Sequence, residues 1–303
     1  MKIAIVLNGI SLQKKYFYQE ILPALQNAFP EIEILETLTQ NDGTLLGAKA
    51  VDRWFDIILA AGGDGTVHQV VNGMLSRKHL YRLPPLGIIP IGSGNDFARC
   101  LNITREPAKL IDAIQNLRTR LIDIGHITYH KTHSANETTT RFFINEADIG
   151  MGPEVVRKVT ASGRPFGSAI AYYTAILSTF ATYKPLPVKA TTPTWTWEGR
   201  IRTLAIANGN YYGNGLCISP DAKPDDGRFG TFICGPVSVF DFIRHSGSLK
   251  KGRHVRIPEI VYNQTDAIEL TSPEPCVIET DGEIAGYLPA KIELLPQAIS
   301  ILC

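Results

Sequence analysis

Uninterrupted apolar runs alternate with stretches of helical periodicity through the first third of the chain, and this rhythm strongly constrains the fold. The apolar runs and helical stretches follow one another at residues 3–7, 13–28, 32–35, 44–51, 55–60, 67–75, 86–90 and 106–117. Strands that are apolar on both faces belong to parallel sheets covered by helices on both sides. We therefore expect an α/β domain over residues 1–121, with ligands bound beyond the carboxyl ends of its strands.

After residue 121 short alternating runs replace this rhythm, which indicates half-buried antiparallel strands over residues 122–303. Two helical patterns, near residues 168–181 and 239–249, interrupt the strands, and the polar stretch 128–140 is expected to be an exposed hairpin loop. The expected turns between strands lie at Glu198-Gly199, Asp226-Gly227 and Asp281-Gly282. This second part is predicted to be a β-sandwich or a β-barrel.

Charge and cysteine usage exclude several classes of protein. The chain has 30 basic and 29 acidic residues, a net charge of +1, which argues against a nucleic-acid-binding protein. Its five cysteines include no C-x-x-C pair, which favours reduced thiols and a cytoplasmic location. The uncharged stretch 165–183 contains five Ser and Thr residues, so a buried helix is expected there and not a membrane span.

A glycine-rich turn, Gly62-Gly63-Asp64-Gly65-Thr66, follows the run at 55–60 and precedes a helix. Glycines at this position let the backbone approach a phosphate, and a helix N-terminus supplies N–H donors. Asp64 would repel phosphate unless it orders a metal ion or a metal-bound water. The alternative is a plain turn in which Asp64 is only a helix-start carboxylate.

The same design recurs one strand later, where the run at 86–90 leads to Gly92-Ser93-Gly94-Asn95-Asp96. Turns on neighbouring strand ends would bring Asp64 and Asp96 to one crevice that suits a magnesium nucleotide. The chain has no G-x-x-x-x-G-K-[ST] sequence and no third glycine of the dinucleotide fingerprint. A P-loop protein and an ordinary Rossmann dehydrogenase are therefore excluded.

Gly62–Thr66, the following Val70-Val71-Asn72-Gly73 and the segment Pro90–Arg99 together resemble the diacylglycerol kinase catalytic family. That family is related to sphingosine and ceramide kinases, and NAD kinases and phosphofructokinases share the first turn more distantly. The resemblance extends over essentially the whole chain. It implies an N-terminal α/β nucleotide-binding domain of the NAD kinase and phosphofructokinase type, a C-terminal β-sandwich domain, and an active site in the cleft between them.

The resemblance assigns residues that bind ATP by their position in the motifs. They are Asn8, Ser11, Thr39, Gly62, Gly63, Asp64, Gly65, Thr66, Val67, His68, Gln69, Gly92, Ser93 and Asn95. Thr37 is the alternative to Thr39 near the adenine. Two departures stand out: the first turn leaves Lys14 or Lys15 as the phosphate cation, and His68-Gln69 replaces the usual Asn-Glu.

The turn at residues 219–228 is rich in carboxylates and carbonyls, which suit a hard cation, although an Asp-Gly hairpin turn is the plainer interpretation. The resemblance implies a structural Mg²⁺ held by the Asp226 side chain and the carbonyls of Lys223 and Arg228. Asp281-Gly282 between β runs predicts a type I′ turn. The resemblance makes Asp281 the general base there, with Glu283 in support.

Together these features predict an ATP- and Mg²⁺-dependent lipid kinase in which Asp64 and Asp96 organise Mg²⁺ and Asp281 deprotonates the lipid hydroxyl. Arg244–Arg256 is either a solvated helix end or a contact for anionic headgroups, as a peripheral protein at the inner membrane surface would need. An NAD kinase-like enzyme and a non-catalytic nucleotide- or lipid-binding protein are the alternatives. The acceptor lipid is undetermined, and a homodimer stays open.

Overall fold

The computed structural model describes residues 1–39, 41–78, 82–133, 137–161 and 168–303, the last range without the side chains of 168 and 169. It divides into two compact units. The first contains Met1–Ile122 together with Gln297–Cys303, and the second contains Asp123–Pro296. Residues 297–303, which the sequence pattern assigns to the second domain, extend the sheet of the first unit in the structure.

The described residues form seventeen strands and nine α-helices. The strands are β1 Lys2–Leu7, β2 Glu31–Glu36, β3 Ile57–Gly62, β4 Leu86–Pro90, β5 Thr119–His130, β6 Thr138–Phe143, β7 Glu146–Gly150, β8 Leu186–Thr191, β9 Thr196–Ile201, β10 Thr203–Ala207, β11 Tyr211–Tyr212, β12 Leu216–Cys217, β13 Phe229–Cys234, β14 Ile260–Thr265, β15 Ala267–Thr271, β16 Val277–Thr280 and β17 Glu283–Leu302. The helices are α1 Lys14–Tyr16, α2 Leu22–Ala28, α3 Asp42–Asp52, α4 Asp64–Leu75, α5 Asp96–Cys100, α6 Pro107–Gln115, α7 Gly152–Ala161, α8 Ser168–Thr182 and α9 Val239–Lys250, with a π-helical segment, Phe17–Ile21, between α1 and α2.

The first unit is a parallel sheet in the order β2-β1-β3-β4, completed by the last residues of β17. Ile301 of β17 pairs with Leu86 of β4 in parallel. Strands β1, β3 and β4 are apolar on both faces, whereas β2 at the edge alternates with glutamates. Ile5, Leu59 and Ile89 are buried in one cluster with side chains of the flanking helices. The α/β architecture with a parallel sheet, predicted from the alternation of runs and helices, is confirmed.

The second unit is antiparallel, with the strand order β14-β13-β10-β7-β16-β17 at its centre. Successive side chains of these strands alternate between two apolar layers. Ile149, Ile206 and Ile278 belong to a layer formed by strands. Ala205 and Phe232 face the other layer, which α7, α8 and α9 cover. This is the sandwich-like β domain expected of the C-terminal half.

Two local predictions were wrong. Glu198-Gly199 does not form a turn but lies inside β9, opposite Lys189 and Val188 of β8. The stretch 128–140 is not wholly a loop either, because β5 and β6 continue their pairing to His130 and Thr138. Its residues 134–136 lie outside the described part. In both cases the ladder extends through polar residues whose side chains face water.

The uncharged stretch folds as expected into helix α8, although its residues 165–167 lie outside the described part. Ala175, Ile176 and Phe180 of α8 are buried in the layer shared with α7 and α9. Among the described residues, no helix is both long enough and apolar enough to cross a membrane.

Candidate active site

The first glycine turn is tighter than predicted. Helix α4 begins at Asp64, directly after Gly63 and three residues earlier than the hydrophobic pattern indicated. The N–H groups of Thr66 and Val67 both return to the carbonyl of Gly63, at 3.0 and 3.1 Å. A Cβ on Gly62 would lie 2.1 Å from Oγ1 of Thr66. Glycine is therefore needed at position 62 for the helix to start this close to the strand end.

The two glycine turns are in direct contact. A Cβ on Gly92 would lie 2.1 Å from the Cα atom of Gly63, so the two backbones touch where side chains would otherwise separate them. A hydrogen bond adds to the contact, since Oδ1 of Asp64 accepts the N–H of Phe97 at 3.0 Å. The structure thus brings together the strand-end turns after β3 and β4.

Two polar side chains shape the second turn. Asn95 has a left-handed backbone (φ +55°). Its Oδ1 accepts the N–H of Gly92 at 3.0 Å and its Nδ2 donates to the carbonyl of Gly92 at 2.9 Å. Asp96 is buried, and the Arg99 guanidinium lies 3.4 Å from its carboxylate. Ser93, at the tip of the turn, is exposed.

The loop after β1 packs on both turns. Nδ2 of Asn8 donates to Oγ1 of Thr66 at 3.2 Å, and Oγ of Ser11 donates to the carbonyl of Ile91 at 3.0 Å. The two side chains that the resemblance assigns to this loop therefore contact the segments that follow β3 and β4. Lys14 forms an ion pair with Glu36, which leaves Lys15 as the other cation proposed for this loop.

The two threonines considered for the adenine side have different roles in the structure. Oγ1 of Thr37 is buried and accepts the N–H of Gly9 at 3.1 Å, which ties it to the loop after β1. Oγ1 of Thr39 donates to Oδ1 of Asp42 at 2.6 Å, at the start of α3. Thr37 is thus joined to the candidate site, and Thr39 stabilises the start of a helix.

The later residues of the first motif lie within α4 and mainly make packing contacts. Val67 and His68 are buried, and Nδ2 of Asn72 lies 3.4 Å from Nε2 of His68. Gln69 packs on Gly43 of α3, where an added Cβ would lie 2.6 Å from its Oε1. Within α4, only the first turn, which includes Gly65, lies next to the contact between Gly63 and Gly92.

In the second unit, Asp123 organises the turn proposed to hold a metal ion. Its Oδ2 accepts the N–H of Gly227 at 2.8 Å, and its own N–H donates to the carbonyl of Pro224 at 2.7 Å. Partial burial raises the pKa of Asp226 above its ordinary value, and the nearby carboxylates of Asp123 and Asp225 add to this effect. Sequence reasoning missed Asp123, although an acid inside the apolar run 121–124 was a signal.

Asp281 lies in the expected type I′ turn, since Asp281 and Gly282 have φ values of +50° and +83°. Its carboxylate is buried and accepts three main-chain N–H bonds: Oδ2 from Ile144 at 3.0 Å, and Oδ1 from Asn145 and Glu146 at 2.9 and 3.0 Å. Glu283, two residues further on, is only half-buried.

Asn208 connects these two turns. Its Nδ2 donates to the carbonyl of Asp123 at 2.8 Å and to the carbonyl of Ile144 at 2.7 Å. Because the N–H of Ile144 in turn donates to Asp281, a continuous path of hydrogen bonds joins the turn at Asp226 to the turn at Asp281. The glycine-rich segment 207–215 thus contributes a buried amide to the site, which its surface-loop appearance did not indicate.

Three buried acids close to Asp281 also escaped the sequence analysis. Glu146 and Asp148 lie on β7, and Glu279 lies on β16 opposite Asp148. Burial raises the pKa of Asp148 to about 7 and that of Glu279 to about 8. The signal was available in Asn145-Glu146-Ala147-Asp148-Ile149, where acids alternate with apolar residues in a strand.

Comparison with known proteins identifies the family of the chain. Residues 2–127 match the model of the diacylglycerol kinase catalytic domain, and residues 147–303 match the YegS C-terminal NAD kinase beta sandwich-like domain. A diacylglycerol kinase of Bacillus subtilis (strain 168) is 30% identical over 97% of this chain and 93% of its own length.

Solved structures show the same fold. A crystal structure of a diacylglycerol kinase from Bacillus anthracis str. Sterne superposes with a TM-score of 0.73 at 24% identity, covering 99% of this chain and 96% of the other. Yeast NADH kinase superposes with a TM-score of 0.56 at 8% identity, covering 99% and 82%. The chain belongs to the diacylglycerol kinase family, and it is a kinase of the lipid-phosphorylating type.

Proposed function

We propose that this protein transfers the γ-phosphoryl group of ATP to the hydroxyl of diacylglycerol or a closely related lipid, with Mg²⁺ as the required cation. The observation that carries the proposal is the contact between the two glycine turns, reinforced by the bond from Asp64 to Phe97. Family membership supplies the reaction type. Phosphoryl transfer needs mainly positioning and charge stabilisation, which such a site can provide.

The first unit would bind ATP. The first turn of α4 presents main-chain N–H groups at the end of a buried strand, a favourable place for phosphate oxygens. Because Gly63 and Gly92 have no side chains, the backbones of the two turns lie in contact, so a nucleotide bound at one turn would also be next to the other. Asn8 and Ser11 fix the neighbouring loop, and the exposed Ser93 would contact the nucleotide.

Two sets of oxygen atoms would hold Mg²⁺. Asp64 and Asp96 are the carboxylates beside the glycine turns, and Asp226 with the carbonyls of Lys223 and Arg228 forms the second set. Oxygen ligands suit this cation. In the described part of the chain no three His, Cys, Asp or Glu side chains are grouped as metal ligands, so each set depends on main-chain oxygens or water. When bound, Mg²⁺ would neutralise phosphate charge and the repulsion around Asp226.

The two carboxyl groups of the Asp281 turn would have different roles. The resemblance favours Asp281 as the base, but its carboxylate already accepts three main-chain N–H bonds and is buried. These bonds occupy both carboxylate oxygens, so the group is less available to approach a lipid hydroxyl. We therefore assign Asp281 to anchoring the turn and Glu283, which is half-buried, to accepting the proton of the lipid hydroxyl.

A transfer assay with γ-labelled ATP and Mg²⁺ tests the function. Mixed micelles containing diacylglycerol, phosphatidylglycerol or a sphingoid base are offered in parallel with NAD. Labelled phosphatidic acid from diacylglycerol is the expected product. Label transferred only to NAD would instead indicate an NAD kinase, and absence of transfer to any acceptor would indicate a non-catalytic binding protein.

Access to a bilayer lipid requires a surface that binds membranes, and α9 with the segment that follows it is the best candidate. Phe240 and Ile243 of α9 are 70% and 49% exposed. The exposed cations nearby are Arg244, Lys250, Lys251, Arg253 and Arg256. None of these cations has an ion-pair partner among the described residues, so they are available for anionic headgroups.

Vesicle sedimentation tests this surface and the proposed location at the inner face of the cytoplasmic membrane. Binding to vesicles rich in phosphatidylglycerol should exceed binding to neutral vesicles and weaken as salt rises. The double variant Lys251→Glu/Arg253→Glu should lose this preference, whereas Lys109→Glu in the first unit should keep it. Unchanged binding by the double variant would reject a membrane role for this surface.

A further inference from the structure

Two buried carboxyl groups lie directly beneath the turn that carries Asp281 and Glu283. Glu146, at the start of β7, and Glu279, on β16, are each 3% exposed. Both lie in the ladder between β7 and β16, where Glu279 is opposite Asp148 and the main chain of Glu146 is bonded to that of Asp281, so the two side chains share one face of the sheet. Two carboxylates this close in a buried site would repel each other, and a proton on one of them, shared with the other, relieves that repulsion.

Both glutamates contact the turn through a second set of bonds. Oε2 of Glu279 accepts the N–H of Gly282 at 2.7 Å. The main chain of Glu146 exchanges two bonds with Asp281: its N–H donates to Oδ1 at 3.0 Å, and its carbonyl accepts the N–H of Asp281 at 3.0 Å. The two glutamates therefore bind both central residues of the turn, Asp281 and Gly282.

The location of the proton follows from the surroundings. Burial raises the pKa of Glu146 well above its usual range, and the neighbouring Glu279 adds to the rise. The pKa of Glu279 is raised to about 8 by burial. Oε2 of Glu146 has no hydrogen-bond partner among the described residues, which a neutral carboxylic acid tolerates better than a carboxylate. Glu146 is thus the donor and Glu279 the acceptor.

We propose that Glu146 and Glu279 are positioning residues whose shared proton holds the Asp281–Gly282 turn in the geometry that phosphoryl transfer requires. This inference rests on the proposed function. Loss of the proton would leave two carboxylates in contact, and their repulsion would move Glu279 from the N–H of Gly282. The base Glu283 would then be displaced, and the rate would fall at alkaline pH.

Other titratable groups face the pair and must be separated from it. Asp148 lies opposite Glu279, and its carboxylate accepts a bond from Oγ1 of Thr203, at 2.6 and 2.8 Å from its two oxygens. Asp281 is the third neighbouring acid. Tyr212, whose pKa is raised by burial, lies near Glu146, Glu279 and Asp148. Because the carboxylate of Asp148 is bonded to Thr203, Asp148→Asn provides the matched comparison: it removes a neighbouring buried acid and leaves Glu146 and Glu279 in place.

The pH dependence of kcat tests the proposal. Glu146→Ala should lower kcat about tenfold or more while KM for ATP stays within about twofold, because the pair lies in the second unit. Glu146→Gln retains a donor to Glu279 and should restore most of the lost rate, but without the alkaline fall of the wild type. Asp148→Asn should keep that fall. An alkaline fall that persists unchanged in Glu146→Gln would overturn the proposal.

Two spectroscopic measurements are independent of turnover. Infrared difference spectra at neutral pH should show a protonated-carboxyl band that Glu146→Gln removes and that the exposed control Glu259→Gln retains. Hydrogen exchange at the Gly282 amide should accelerate at alkaline pH in the wild type and not in Glu146→Gln. If the band is missing, or if exchange at Gly282 does not depend on pH, Glu146 and Glu279 do not share a proton, even if the enzyme is active. If the wild type is inactive on every lipid, only the proposed lipid kinase function is refuted.

Discussion

Oδ1 of Asp64 accepts the main-chain N–H of Phe97 at 3.0 Å, although the two residues are 33 positions apart. The bond joins the first turn of α4 to the first turn of α5, so the carboxylate both holds the second glycine turn and lies beside it. A charge placed this way can serve the fold and the chemistry together, and the two roles are separable by substitution.

Asp64→Asn is expected to keep an acceptor for Phe97 but to lose the charge. Phosphoryl transfer should fall by about 100-fold or more, as when a charge-organising group is removed from an active site. Thermal unfolding should stay close to that of the wild type. Asp64→Ala should lower both, because the N–H of Phe97 then lacks its partner. If Asp64→Asn is as active as the wild type, the charge of Asp64 has no role in the reaction.

The two acids of the Asp281 turn are expected to respond differently to loss of charge. Glu283→Gln should lower kcat by about 10²–10⁴-fold, the usual contribution of a general base, with little change in stability. Asp281→Asn should abolish transfer and also destabilise the second unit, since an amide cannot accept the three N–H bonds as a carboxylate does. ATP binding, measured by calorimetry, should survive in both. Near-normal turnover of Glu283→Gln would return the role of base to Asp281.

Mg²⁺ should stabilise the protein through the turn at Asp226. A cation that binds only the folded state raises the midpoint of thermal unfolding, and the rise grows with its concentration. Asp226→Asn, which removes the one carboxylate in this set of ligands, should reduce the increase, whereas the exposed control Asp266→Asn should not. Scanning calorimetry with Mg²⁺ or with a chelator measures this difference, and an increase of the same size in Asp226→Asn would exclude the site.

Stability should decrease as pH rises from about 4 to about 7, because Asp148 is buried. Its pKa is raised from 3.8 to about 7 in the folded state, so the native protein binds more protons than the unfolded chain in that interval. The free energy of unfolding therefore falls with pH there, and Glu279 extends the decrease to about pH 8. Urea denaturation at pH 5 and pH 8 should show a smaller decrease for Asp148→Asn, and an unchanged decrease would contradict the assignment.

The order of elements in the first unit could be predicted because three of its strands, β1, β3 and β4, are buried on both faces. Residues 86–90 match β4 at both ends, and the four predicted strands all exist. The start of α4 was misplaced, since the hydrophobic pattern begins at Val67 whereas the helix begins at Asp64 on a glycine turn. Polar strands such as β9 were harder to predict, because a strand whose side chains are exposed has no apolar pattern in its sequence.

Within the site, motifs located the turns but not the supporting polar network. Asp64, Asp226 and Asp281 are recognisable because glycine follows each of them in the chain. Asp123 and Glu146 lie in strands with no such neighbour, and Asn208, although Gly209 follows it, lies in a segment that looks like a surface loop. The roles of all three depend on contacts over long sequence separations. Such pairings follow from strand register, which alternating patterns do not determine.

Residues 297–303 complete the parallel sheet of the first unit, with Ile301 fully buried and Leu302 only 2% exposed. This has a consequence for synthesis on the ribosome. Domains generally fold as units in the order in which they are made. Here residues 1–122 leave the ribosome before the second unit, yet their sheet lacks a strand until residues 297–303 have been added. The first unit is therefore begun before the second and completed after it.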